Sequence, residues 1–203
     1  MTEVTLHRVR PEEWEEHRVL RLEMLRDAPD AFWTTHEQAL ELDEATWRER
    51  IASTFHVHAR LGDDPVGSVG MWDGSDRRRH LRCAVVDRSD PDGTNLIAMY
   101  VAPRARRRHV GERLVRAVLE EAQRRGHRQV LLQVTDTNAP ARALYERTGF
   151  RLTGGQVPHP RRPGLVELEM VAVLEAQQRP GRPHPHRETQ DRADRAGVRG
   201  LPT

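Results

Sequence analysis

The sequence predicts a mixed α/β fold, a central mixed sheet covered by helices. Three observations carry that prediction. Strand-like runs alternate with amphipathic helical runs along most of the chain, and turn signals join several strands as hairpins. Between Leu96 and Gly126 an apolar strand ends at Pro103 and gives way to the clearest helix of the sequence.

The elements follow in order. Val4–Val9 alternates and reads as a first strand; Pro11 with Glu12 and Glu13 then suits the first turn of a helix running to about Arg26. Trp14, Leu20, Met24 and Leu25 mark its buried side, and Pro29 stops it. A second helix is expected over Asp43–Ser53, with Asp43 as N-cap and Trp47 in the core. Phe55–Leu61 and Val66–Trp72 form a hairpin around Gly62-Asp-Asp-Pro65. A short apolar run, Cys83–Val86, lies between turn signals before the strand Leu96–Val101. From Gly111, the stripe Leu114, Val115, Val118, Leu119 and Ala122 specifies a helix, with Gly126 as its stop. Val130–Val134 is an apolar strand. Asn138 then caps a helix through Tyr145 that Gly149 ends, and strands Phe150–Thr153 and Leu165–Val173 close the order.

Composition bounds the class. Charged residues make up 32% and hydrophobic residues 36%, and the apolar shortfall concentrates in residues 175–203. That Pro- and Arg-rich stretch has only Val198 and Leu201 as branched apolar residues, so it is expected to be a disordered tail after one domain spanning 1–174. The net charge of +2 belongs to the tail, which holds six Arg against four acids and leaves a balanced body. That balance argues against nucleic acid as a partner. The chain has no Lys, and one cysteine, Cys83, fits a reducing cytoplasm. No secretory h-region and no apolar run of 18 residues is visible, so no membrane span is expected.

Arg104-Ala-Arg-Arg-Arg-His-Val-Gly111 is the most informative segment. Arginines and backbone N–H donors at a helix N-terminus suit a diphosphate. Four signatures then occur in order: Arg106-Arg-Arg-His-Val-Gly111, Asn138, Leu144-Tyr145 with Gly149-Phe150, and Glu167-Leu-Glu-Met170. Together they resemble the GNAT superfamily of acetyl-CoA-dependent N-acetyltransferases, over residues 2–174. The resemblance implies a sheet of about six to seven strands flanked by helices and splayed around acetyl-CoA. It also implies direct acetyl transfer to a primary amine without a metal, and members often form homodimers.

Carried onto this chain, the resemblance places Met99, Tyr100 and Val101 along the pantetheine arm, with a backbone N–H near Met99 polarising the thioester carbonyl. It places Arg106, Arg107, Arg108, His109, Val110, Gly111 and Glu112 around the pyrophosphate, and Asn138 on the pantetheine. Tyr145 is the general acid for the departing thiolate, or a packing residue on the same arm. His109 departs from the pattern, which has glycine there. Either its side chain points harmlessly to solvent, or cofactor binding is weakened.

No carboxylate stands between Gly93 and Val101, where many members carry their base, so Asp136, His36, Glu37 and Asp73 are candidates acting through water. The missing carboxylate and His109 motivate an alternative, a catalytically weak or inactive acyl-CoA-binding sensor. Phe32, Trp33 and His36 could contact the acceptor, or Phe32 and Trp33 could staple the helices together. His56 and His58 share one strand face and are expected to be exposed or hydrogen-bonded rather than metal ligands, since no third ligand is spaced to join them.

Overall fold

The computed structural model describes residues 3–73 and 94–175. The Cys83–Val86 run and the tail beyond Glu175 lie outside the described residues.

Seven strands form one sheet: β1 (Val4–Arg8), β2 (Phe55–Leu61), β3 (Asp64–Trp72), β4 (Thr94–Val101), β5 (Gln129–Thr135), β6 (Arg151–Pro158) and β7 (Val166–Val173). Their spatial order is β1-β2-β3-β4-β5-β7-β6. Neighbours are antiparallel except β4 and β5, which run parallel and are joined through a helix, as a parallel pair requires. The helices are α1 (Trp14–Asp27), α2 (His36–Leu40), α3 (Glu44–Ser53), α4 (Val110–Arg124) and α5 (Ala139–Arg147).

The local rules explain most of these boundaries. Pro11 opens a 3-10 turn, Pro11–Glu13, that leads into α1. Asp43 accepts from the Thr46 N–H at 2.9 Å and starts α3. The apolar stripe of α4 is fully enclosed, with Leu114, Val115, Val118 and Ala122 at 0% exposure. Each of the larger three contributes about 1.5–3 kcal/mol. Trp47 is buried in a small cluster with Leu25 and Ala39.

Two features differ from the sequence reading. The short helix α2 is additional; Thr35 and Gln38 form a reciprocal capping box there. β6 runs on to Pro158 as an exposed edge strand, with a register shift between Leu152 and Gln156. Of the two readings of His56 and His58, exposed or hydrogen-bonded, the second holds for His58: α1 covers their face of β2 and both are buried. His17 on α1 joins them, with its Nδ1 3.1 Å from Nε2 of His58, whose own Nδ1 is 3.2 Å from Glu16 Oε1. The third imidazole thus arrives from another element, which sequence spacing could not show. Among the described residues, no group of His, Cys, Asp and Glu has an arrangement that could hold a metal ion. No helix among them is long and apolar enough to cross a membrane.

Candidate active site

β4 and β5 pair only at Thr94–Val130 and Asn95–Leu131. Beyond those residues they diverge, and a cavity of about 1310 Å³ occupies the gap. β4 is also bulged where the gap opens. Gly70 pairs with Ile97 and Ser68 with Tyr100, so Ala98 and Met99 both stand opposite Val69. Ala98 takes a left-handed conformation (φ 55°), which costs an alanine about 1–2 kcal/mol. A bulge of this kind leaves backbone groups unpaired beside the opening. Gly67 lets α4 approach from below: a Cβ there would meet Tyr100 O and Leu114 Cδ1, each at 3.0 Å.

At the end of β4 the chain makes a 3-10 turn, Pro103–Ala105, and then enters α4. Arg107 (φ 62°) and His109 (φ 57°) are both left-handed and flank Arg108. Alternating handedness folds successive N–H groups into a concave anion cradle, here at the positive end of a 15-residue helix. Arg106 braces the cradle. Its Nε donates to Val101 O at 3.0 Å, and its Nη2 pairs with Asp27 of α1. The His109 side chain is 80% exposed, with Nδ1 3.3 Å from Glu112 Oε2, so the substituent replacing glycine points to solvent. Gly111 admits α5 closely, since a Cβ there would lie 2.9 Å from Leu144 Cδ2.

The structure gathers most of the residues singled out above around this one cavity. Met99, Tyr100 and Val101 line it from β4, and Asn138 and Tyr145 from α5. Arg106, Arg107, His109, Val110, Gly111 and Glu112 line it from the cradle. Arg108 is exposed and does not. Asn138 Oδ1 accepts from Ala141 N at 3.2 Å, so it serves as the α5 cap whatever else it binds. Tyr145 is buried against Phe150, and burial pushes its phenol well above the usual range, so it keeps its proton at neutral pH.

Phe32 and Trp33 line the cavity as well, and Phe32 also packs against both hydrophobic clusters, so it bridges helices and lines the site. His36 does not reach the cavity; its Nδ1 lies 3.9 Å from Glu37 Oε1. Asp136, Glu37 and Asp73 are likewise absent from the lining, and Asp73 pairs with Arg125 at 2.8 Å. None of the four base candidates faces the cavity.

A different carboxylate does. Glu167 on β7 lines the cavity at 4% exposure, directly across the register from Thr135, whose hydroxyl is 3.1 Å from Glu167 Oε1. Burial raises its pKa above the usual carboxylate value; Thr135, His159 and the Trp33 indole counter by favouring the charged form. Sequence reading took Glu167 only as part of the closing-strand signature.

The cavity passes through the sheet. On one face lie the cradle, Gly111 and α5. On the other, Tyr100 reaches Glu23 of α1 at 3.4 Å, and Thr135 reaches Asp30 O, just beyond α1, at 3.3 Å. Glu167 shares the face of Thr135.

Residues 10–150 match the profile of the Acetyltransferase (GNAT) family. The chain belongs to that family. Solved structures share its fold. A GNAT-family acetyltransferase from Streptococcus pneumoniae superposes with a TM-score of 0.67 at 18% identity, over 85% of this chain and 100% of that one. A GCN5-related N-acetyltransferase from Kribbella flavida gives 0.62 at 22%, over 84% and 98%. A putative acetyltransferase from Salmonella typhimurium, solved with acetyl-CoA, gives 0.63 at 17%, over 88% and 98%. No curated protein matches the sequence.

Acetyl-CoA, the co-substrate of the family, suits the residues of this acetyltransferase-family chain on three counts. A nest of N–H donors sits at the α4 terminus, unpaired backbone borders the bulge, and the cavity is continuous between them.

Proposed function

We propose that this chain transfers the acetyl group of acetyl-CoA directly to the nitrogen of a primary amine, and that residues 1–174 are the catalytic domain. One observation carries the reading: the gap between β4 and β5 joins an anion cradle on one face of the sheet to a carboxylate-bearing chamber on the other. Donor and acceptor can therefore meet at the bulge from opposite sides, and no covalent enzyme intermediate is required.

Acetyl-CoA supplies an activated thioester when bound. The Arg107–Gly111 backbone, with Arg107 beside it, holds the pyrophosphate; Arg106 keeps the turn tied to β4 and α1. The backbone at Ala98–Met99 offers a donor to the carbonyl oxygen as charge builds on it. Tyr145 protonates the leaving sulfur. A thiol near pKa 8.5 needs modest help, so this step is worth about 10²–10³ in rate.

The test is release of free thiol from acetyl-CoA over a panel of primary amines, with mass spectrometry of the products. Amine-dependent release with N-acetylated product is expected. Tight acetyl-CoA binding with no release on any amine would replace this reading by that of an acyl-CoA sensor.

A further inference from the structure

We propose that Glu167 receives the acceptor: its carboxylate holds the incoming ammonium and takes the proton that must leave before the nitrogen can attack. The preferred acceptor is then a cationic aliphatic primary amine entering from the α1 face. This rests on the acetyl-transfer reading above and specifies its acceptor half.

The first argument is placement. Glu167 lines the cavity on the face opposite the anion cradle, beside Trp33 and Phe32. An amine held there meets the thioester across the gap in the sheet, while the cradle keeps the phosphates on the other side. The Phe32 ring already carries the Arg21 guanidinium at 5.3 Å, so the ammonium site is the Glu167 carboxylate itself, with the Trp33 indole bonded beside it.

The second is an unfilled charge requirement. A buried carboxylate normally has a cationic partner. This chain has 33 arginines, yet among the described residues none forms an ion pair with Glu167. Neither arginine of the neighbouring loop reaches it. Arg161 donates to Pro29 O at 2.7 Å and to Phe32 O, and Arg162 pairs with Asp30. Glu169, two residues along β7, adds a second carboxylate to the cavity and accepts from Thr153 Oγ1 at 2.7 Å.

The third is how Glu167 is steadied. The Arg161 N–H donates to His159 Nδ1 at 3.2 Å, which leaves Nε2 as the N–H of the ring. That Nε2 lies 3.5 Å from Glu167 Oε1, the same oxygen that Thr135 approaches at 3.1 Å. Thr135 thus holds the carboxylate from one side, and the His159 ring backs it without a hydrogen bond. Burial strengthens it as a base, and the negative charge of Asp136 at the end of β5 acts in the same direction; His159 opposes. Asp30, on the segment facing it, is neutralised by Arg162.

The protons balance. R–NH3+ gives one proton to Glu167; the free amine forms the C–N bond as the C–S bond breaks. Tyr145 gives its proton to the thiolate and recovers one from the amide nitrogen through water. Glu167 then releases its proton to solvent, for a net release of one.

The experiment uses the full chain with two acceptors, an aliphatic amine protonated at pH 7 and an aromatic amine neutral there. Glu167→Gln is expected to lower kcat/KM for the aliphatic amine about 10²–10³-fold and for the aromatic amine by no more than about threefold. In that variant the acid limb set by Glu167 should give way to a rise that continues toward the pKa of the aliphatic amine itself, while calorimetry shows acetyl-CoA affinity unchanged. Thr135→Val should keep the limb and move it to higher pH. Equal loss on both amines, or a wild-type rate on the aliphatic one, would overturn the assignment of Glu167 and leave acetyl transfer standing. A wild-type chain that binds acetyl-CoA and acetylates neither amine would overturn both.

Discussion

If acetyl-CoA and the amine enter as proposed, the cavity has a donor mouth and an acceptor mouth, and the two are built in opposite ways. The donor mouth comes mostly from one continuous stretch, Met99 to Glu112, completed by the α5 residues Asn138 and Tyr145. The acceptor mouth comes from three distant segments: Phe32 and Trp33 after α1, Thr135 at the end of β5, and Glu167 on β7 with His159 behind it. A continuous cradle can work through its backbone, whose N–H groups exist whatever the side chains are. The acceptor mouth works through side chains that only the tertiary fold brings together: the sheet register aligns Thr135 with Glu167, and the segment after α1 adds Phe32 and Trp33. Donor-side and acceptor-side substitutions should therefore separate cleanly in kinetics.

The sharpest test of that separation is Tyr145→Phe. It should lower kcat about 10²-fold on every amine, since the leaving sulfur is common to all, while acetyl-CoA affinity stays within about twofold. A loss confined to particular amines would move Tyr145 to the acceptor mouth.

Next in size is Trp33→Ala, which should raise the KM for the amine about tenfold, about 1.4 kcal/mol, with acetyl-CoA affinity unchanged. If the variant instead weakens acetyl-CoA, the two mouths share their binding energy and the comparison fails.

The same contrast explains what the sequence disclosed. The helix α4, its stripe and the cradle before it were legible because their residues are neighbours. So was the cap of α5, where Asn138 and Ala141 lie three apart. Glu167 was not, because its partners Thr135 and Trp33 are over 30 and over 130 residues away, and nothing in a β-strand pattern distinguishes a carboxylate facing a chamber from one facing water. His17 was hidden for the same reason: alternation in β2 suggested a polar outer face, but α1 covers it. The one local signal left unread was the Thr35–Gln38 box that starts α2.

That covered face gives a third prediction, in the half of the sheet that stays closed. Burial depresses the pKa of His17, well below its ordinary value, and of His58. In the unfolded chain both would take a proton near pH 6.5, whereas the folded chain resists it. Below that pH the unfolded state binds more protons, so stability is complete above about 6.5 and falls as pH drops, by up to about 1.4 kcal/mol per unit for each imidazole. Denaturant midpoints at pH 7.5 and 5.5 should differ accordingly, and His17→Phe should flatten the dependence. Equal midpoints in the wild type would show that the cluster titrates as freely as an exposed histidine.

The smallest effect belongs to His109, where the sequence alone raised the greatest concern. Its left-handed φ of 57° costs about 1–2 kcal/mol relative to glycine. Glycine gains more entropy on unfolding, which offsets about 0.5–1 kcal/mol of that relief. The backbone N–H remains in either case, and the imidazole already points to solvent. His109→Gly should therefore stabilise the chain by no more than about 1.5 kcal/mol and change acetyl-CoA affinity by less than about tenfold. Calorimetric titration beside a denaturation curve measures both quantities. A much larger gain in affinity would mean that the conformation seen here is held at the expense of the cradle, and that the donor mouth depends on its side chains as heavily as the acceptor mouth does.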